Sequence, residues 1–186
     1  MLLSLLMALP LYASCVQEEA AIPFTHGPML GAVTETSATI WARAARPGSV
    51  RVVFPAIADL AGDREATAEA ETDLCVRWTV ERLAPDSEYA YFLELEDGTR
   101  TGEYTFRTPA AAGEPARVAV AFGSCADDRR FPSQPIWTRI AESGAQAMVL
   151  LGDTPYIDST EVDVQRRRYR EFYSVPELAA LLPRIP

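Results

Sequence analysis

Two short stretches of the 186-residue sequence carry side chains suited to chemistry, Gly123-Ser124-Cys125 and Gly152-Asp153-Thr154-Pro155-Tyr156. Together they offer a thiol, a carboxylate and a phenol. An unperturbed phenol titrates near roughly 10, so a coordinating phenolate requires a strong Lewis acid such as ferric iron. The carboxylate of Asp153 can bridge that ion to a second, harder cation such as calcium, which prefers oxygen ligands. A multi-metal centre of this kind lowers the pKa of bound water to give a hydroxide nucleophile and neutralises charge on a transferring phosphoryl group. The chemistry it would support is phosphate-ester hydrolysis.

Each stretch directly follows an apolar run, Arg117–Phe122 and Ala147–Leu151. Continuous rather than alternating apolar residues predict strands buried on both faces, in a parallel or mixed sheet covered by helices. A helix-like pattern over Gln134–Ala141 lies between them, and the whole unit of about 35 residues has the size of one β-α-β crossover. If the two strands are parallel neighbours, Cys125, Asp153 and Tyr156 emerge at the same carboxyl edge, where open α/β sheets bind ligands. The glycines ahead of them let the chain turn sharply out of each strand. Cys125 taken alone reads as a buried structural thiol; its pairing with Asp153 and Tyr156 at one edge favours a ligand role. Asp158 and Asp163 read as a solvated loop residue and a helix-start carboxylate. Val162–Tyr173 then reads as an amphipathic helix, and Pro176-Glu177 opens a short one running through Leu182. On the first helix, Arg166-Arg167-Arg168 with Arg170 and Glu171 reads as a solvated, ion-paired face. Two strands do not make a stable sheet of this kind, so residues 116–186 are expected to be the front part of a larger domain.

Before this region the periodicity is different. From Phe24 to Pro109 apolar residues alternate with a period near two and are broken by turn formers, the pattern of an antiparallel β-sandwich. The expected strands are Met29–Val33, Ala38–Ala42, Val50–Phe54, Leu74–Val80, Tyr89–Leu95 and Glu103–Arg107. Asp97-Gly98 reads as a hairpin turn, and Trp41 as the core aromatic between the sheets. Leu83-Ala84-Pro85 followed by Tyr89 resembles the tyrosine corner of sandwich folds. His26 and Cys75 fall in this region and are read as structural, without function. Ala110–Pro115 is a small-residue linker.

The composition narrows the classes. Hydrophobic residues make up 48% and charged residues 23%, the balance of a globular protein. The net charge is −9, which makes nucleic acid a poor electrostatic partner. A phosphate-ester substrate is not excluded, because bound metal ions dominate a local field. Residues 1–15 read as an export signal: the Leu-, Met- and Ala-rich run is too short to anchor in a bilayer and ends in Ala13-Ser14-Cys15. That tripeptide resembles a lipoprotein cleavage box with Cys15 as the lipidated residue, although Tyr12 stands where Leu is usual and no basic residue precedes the run. The expectation is an extracytoplasmic monomer, either periplasmic or secreted, or held to the membrane as a lipoprotein through Cys15. With Cys15 so used, Cys75 and Cys125 remain in different segments and no disulfide framework is indicated.

Several stretches then resemble the successive motifs of the PhoD-like phosphatase (alkaline phosphatase D) family: Phe122-Gly123-Ser124-Cys125, Pro135-Ile136-Trp137, Leu151-Gly152-Asp153 with Tyr156, and Arg168-Tyr169-Arg170-Glu171-Phe172-Tyr173 with Pro176-Glu177-Leu178. Phe24-Thr25-His26-Gly27-Pro28, running on to Ile40-Trp41-Ala42-Arg43, is similar to the opening of that family. The resemblance implies a mixed fold: a fibronectin type III/Ig-like antiparallel β-sandwich over 22–109, then a truncated α/β metallophosphatase domain of the αββα sandwich type over 116–186. It implies Cys125, Asp153 and Tyr156 as metal ligands, iron (ferric) and calcium as cofactors, and phosphomonoesters or phosphodiesters as substrates. The family continues into a Trp-Asp-Asp-His stretch and later histidines that this sequence does not contain, so the chain alone is expected to be inactive. The alternative is a non-catalytic sandwich binding module with a residual catalytic fragment.

Overall fold

The computed structural model describes residues 23–57, 61–62 and 64–186. The proposed signal and Cys15 lie outside them. Among the described residues, eight strands build the first region: β1 (Phe24–Gly31), β2 (Ser37–Ala44), β3 (Gly48–Val53), β4 (Ala61–Gly62), β5 (Glu65–Ala68), β6 (Cys75–Glu81), β7 (Glu88–Leu95) and β8 (Tyr104–Arg107). They form two four-stranded antiparallel sheets, ordered β1-β2-β6-β4 and β5-β3-β7-β8. The period of two decides what each strand buries. Ala38, Ile40, Ala42 and Ala44 of β2 and Val76, Trp78 and Val80 of β6 point inward, with Ile40 opposite Trp78 and Ala42 opposite Val76. Val50, Val52, Tyr91, Leu93 and Phe106 from the other sheet complete one shared core. This is an antiparallel β-sandwich.

Trp41 is not its central aromatic. Alternation along β2 sends Ile40 inward and Trp41 outward, where it pairs with Arg77 and is only half-buried. Trp78 is fully buried and takes that place. The corner at Tyr89 does form: the backbone N–H of Ala84 donates to the Tyr89 hydroxyl at 2.6 Å. Asp97-Gly98 turns as expected, with Gly98 at φ +83° and its N–H bonded to the Leu95 carbonyl at 3.0 Å. The first strand lies earlier than its apolar residues suggest, because pairing with β2 begins at Phe24 opposite Ala44 and Ala32, at φ 44°, turns the chain away just after Gly31.

The second region contains β9 (Val120–Gly123), α1 (Ile136–Glu142), β10 (Ala147–Leu150), α2 (Val162–Tyr173) and α3 (Pro176–Leu181). β9 and β10 are parallel neighbours, with Val120 opposite Ala147 and Gly123 opposite Leu150. The ladder does not start at Arg117: its first pair is Val120 with Ala147, preceded only by the bond from the Gln146 N–H to the Ala119 carbonyl at 2.8 Å. Trp137, Phe172, Val175, Leu178 and Leu181 form a separate core, with the Trp137 and Phe172 rings edge-to-face at 6.3 Å. Met148 and Leu150 pack against that core from one face of the sheet. The sequence pattern predicts cover on both faces, yet among the described residues the other face is open, with Phe122 74% and Leu151 63% exposed. The helices gather on one side, so the apolar strands present more surface than these elements cover.

The two regions meet through specific polar contacts. The Tyr91 hydroxyl, inside the sandwich, donates to the Pro183 carbonyl at 2.8 Å, and the Leu30 N–H donates to the Leu182 carbonyl at 2.8 Å. His26 Nε2 lies 3.0 Å from the Arg170 carbonyl of α2 and 3.0 Å from the Ser174 hydroxyl. Asp73 receives Arg43 at 3.0 Å from the sandwich and Arg170 at 2.6 Å from α2. No helix among the described residues is long and apolar enough to cross a membrane.

Candidate functional site

Parallel pairing of β9 and β10 delivers both chemical stretches to one edge. Two hydrogen bonds lock the exits together, from the Leu151 N–H to the Gly123 carbonyl at 2.8 Å and from the Cys125 N–H to the Gly152 carbonyl at 3.2 Å. The sharp turn out of β10 falls on Gly152 at φ +122° and Asp153 at φ 53°, while out of β9 it falls on Cys125 itself at φ 62°. Gly123 does not need the left-handed region, contrary to its expected role. For a non-glycine residue that region costs about 1–2 kcal/mol. Here two such residues face each other across the exits from the strands, a local cost that the surrounding structure sustains.

The side chains converge. Cys125 Sγ lies 3.7 Å from Asp153 Oδ2 and 3.4 Å from the Ser124 hydroxyl. The Tyr156 phenol is pushed above its ordinary value, first by its interaction with the Cys125 thiol, then by burial and by the proximity of Cys125, Asp153 and Asp127. Cys125 and Asp153 thus meet at this edge, and Tyr156 follows three positions after Asp153, near enough for the thiol to act on its phenol. Among the described residues no three His, Cys, Asp or Glu side chains cluster closely enough to hold an ion. Tyr156 would add a phenol to the thiol and carboxylate of Cys125 and Asp153. A cation would offset the mutual repulsion that these groups exert on one another, and a thiol, a carboxylate and a phenol within reach of each other fit a Lewis-acidic metal as a partial ligand set.

Beside this edge lies an open cleft of about 530 Å³ with mostly apolar walls that include Phe122, Phe131, Ile136, Trp137 and Leu150. Asp158 and Asp163 are exposed, with Asp163 in the first turn of α2. Cys75 is half-buried, and burial pushes its thiol up. Neither Cys75 nor Cys125 is in a disulfide.

The arginine cluster does not act as one face. Arg166 and Arg167 are exposed and approach Asp163 at 3.9 Å and Glu171 at 3.8 Å. Arg168 turns the other way and is buried against Asp128, with the two side chains 7% and 8% exposed. Helical periodicity sets this division, because neighbours on a helix face different directions. Asp127 and Asp128 were not apparent as site residues from the sequence, though both fall within three positions of Cys125. Asp127 organises that turn by accepting from the Arg129 and Arg130 N–H groups at 3.1 and 3.2 Å.

A solved structure of PhoD superposes on 88% of this chain with a TM-score of 0.73 and 19% sequence identity. The fold is PhoD-like. The chain spans 38% of the length of that PhoD structure. Residues 22–112 match a domain of unknown function, DUF7800. Two smaller modules overlay on part of the chain: the fibronectin type III domain of a human protein (16% identity, 47% of this chain, 91% of that one, TM-score 0.31) and the sensor domain of the anti-sigma factor RsgI4 from Pseudobacteroides cellulosolvens (16% identity, 46% and 98%, TM-score 0.33). No curated protein matches the chain.

Proposed function

We propose that this chain carries the first part of the metal site of a PhoD-like phosphate-ester hydrolase. The observation that supports it is the meeting of Cys125, Asp153 and Tyr156 at the carboxyl edge of two parallel strands, with both Cys125 and Asp153 held at positive φ. On this reading residues 116–186 belong to an αββα metallophosphatase domain, and the protein works outside the cytoplasm on phosphomonoesters or phosphodiesters. Cys125, Asp153 and Tyr156 would hold ferric iron and calcium. When bound, these ions supply Lewis acidity toward a water molecule and a phosphoryl oxygen. The protein's own contribution is to fix three donors in advance and to surround them with the negative potential of Asp127, which favours cations.

The chain alone is expected to leave phosphate esters intact. His26 is its one imidazole, and it is engaged between β1 and α2 rather than at this edge. Adding ferric iron with calcium present should develop the visible absorption of an iron-bound phenolate. Tyr156→Phe should abolish it, and Asp153→Ala should weaken iron binding by about tenfold or more. A wild-type chain that takes up iron without that absorption would sink the ferric-phenolate reading. Turnover by the isolated chain that Asp153→Ala abolishes would refute its inactivity.

A further inference from the structure

We propose that Arg168 is a positioning residue that clamps the loop after β9 to the loop after β10 and thereby sets the distance between Cys125 and Tyr156. Its guanidinium reaches three groups on three segments. NH1 and NH2 bind the Asp128 carboxylate at 3.2 and 2.7 Å, Nε donates to the Tyr156 carbonyl at 3.3 Å, and NH1 also bonds Glu171 on the same helix. Asp128 is three residues beyond Cys125, and the Tyr156 carbonyl belongs to the candidate ligand itself. The donors of a guanidinium lie in one rigid plane, so the Asp128 carboxylate and the Tyr156 backbone are held in a fixed relation.

Burial makes this more than a surface pair. Arg168 and Asp128 are 7% and 8% exposed, and ions so withdrawn from water carry a desolvation cost that an apolar pair would avoid. What the pair adds over apolar packing is direction. α2 is in turn fixed to α3 and the sandwich by Phe172, His26 and Arg170. Arg168 thus ties both loops to a helix that is itself anchored to the sandwich.

The consequence for a metal rests on the proposed function, but the clamp itself is tested without one. In the metal-free full chain, hydroxyl-radical labelling of side chains would be followed in 124–130 and 153–158, with α1 and α3 as internal references. Arg168→Met and Asp128→Asn should each raise labelling in both loops by roughly twofold or more, leaving α1 and α3 unchanged. The double variant should do no more than the stronger single one, because both remove the same link. Arg168→Lys keeps the charge without the planar fork and should restore only part of the protection, while the exposed Arg167→Met should change nothing. Should Arg168→Met fail to fold, Asp128→Asn and Arg168→Lys decide. A response confined to one loop, or one matched in α1 and α3, overturns the clamp. With ferric iron added, the phenolate absorption per bound ion should fall in Arg168→Met. A wild type lacking that absorption, whose loops nonetheless respond as described, supports the clamp and defeats the metal reading.

Discussion

Cys125 and Asp153 occupy the left-handed region, at φ 62° and 53°, in loops that exchange hydrogen bonds directly. A glycine at either position would be easier on the backbone, so the side chains are present despite a conformational cost. Comparing Asp153→Gly with Asp153→Ala isolates that cost, since both delete the carboxylate and only one keeps a Cβ at positive φ. The glycine variant should be the more stable by about 1 kcal/mol in urea denaturation. Equal stabilities would mean that the turn relaxes once the carboxylate is gone. On the proposed metal-binding reading neither variant should bind iron as tightly as the wild type, which would separate the backbone cost from the ligand role.

Among the elements, alternation along β2 and β6 decides which tryptophan the sandwich depends on. Trp78 is fully buried opposite Ile40, whereas Trp41 lies half-buried on the outer face opposite Arg77. Trp78→Ala should cost roughly 3–5 kcal/mol by leaving a cavity between the sheets, and Trp41→Ala about 1 kcal/mol or less. The reverse order in thermal or urea unfolding would mean that the register of β2 is wrong. The strand that contains Trp41 was legible from Ala38, Ile40 and Ala42, and the same pattern already sends Trp41 outward. Residue type suggested a core tryptophan; period assigns it to Trp78. Local signals also carried the tyrosine corner, the Asp97-Gly98 turn and the two parallel strands, because each depends on neighbours close in sequence. The meeting of Cys125, Asp153 and Tyr156 followed from strand order alone. The pairing of Arg168 with Asp128, forty positions away, did not, because a guanidinium in a run of arginines gives no local sign of which one turns inward.

Across the whole molecule, His26 sits where the sandwich meets α2, and it makes that contact sensitive to pH. Its Nε2 donates to the Arg170 carbonyl, which can only accept, so the proton of the neutral ring lies on that nitrogen and Nδ1 faces the Thr25 hydroxyl at 3.1 Å. Burial is the main cause that holds His26 below 6.5; the bond to the Arg170 carbonyl opposes it, Arg43 and Arg170 add to the lowering, and Asp73 opposes it. A lowered folded value means that the unfolded chain takes up the proton first. Stability is therefore complete above about 6.5 and declines as pH falls from there through the folded value. Asp73 works in a different window: the Arg43 bond foremost holds its carboxyl below 3.8, so its contribution is present above that value and is lost only at lower pH. Because the sequence contains one histidine, a single imidazole resonance reports the site. Its midpoint should fall below 6.5, and the drop in melting temperature between about pH 7.5 and 5 should flatten in His26→Gln, whose amide can still donate to the Arg170 carbonyl. A midpoint at or above 6.5, or an unchanged slope in that variant, would mean that the contact between β1 and α2 does not bury the ring as described. Since α2 also carries Arg168, loosening this contact in mild acid should reach the loops that hold Cys125 and Tyr156 before the sandwich core itself gives way.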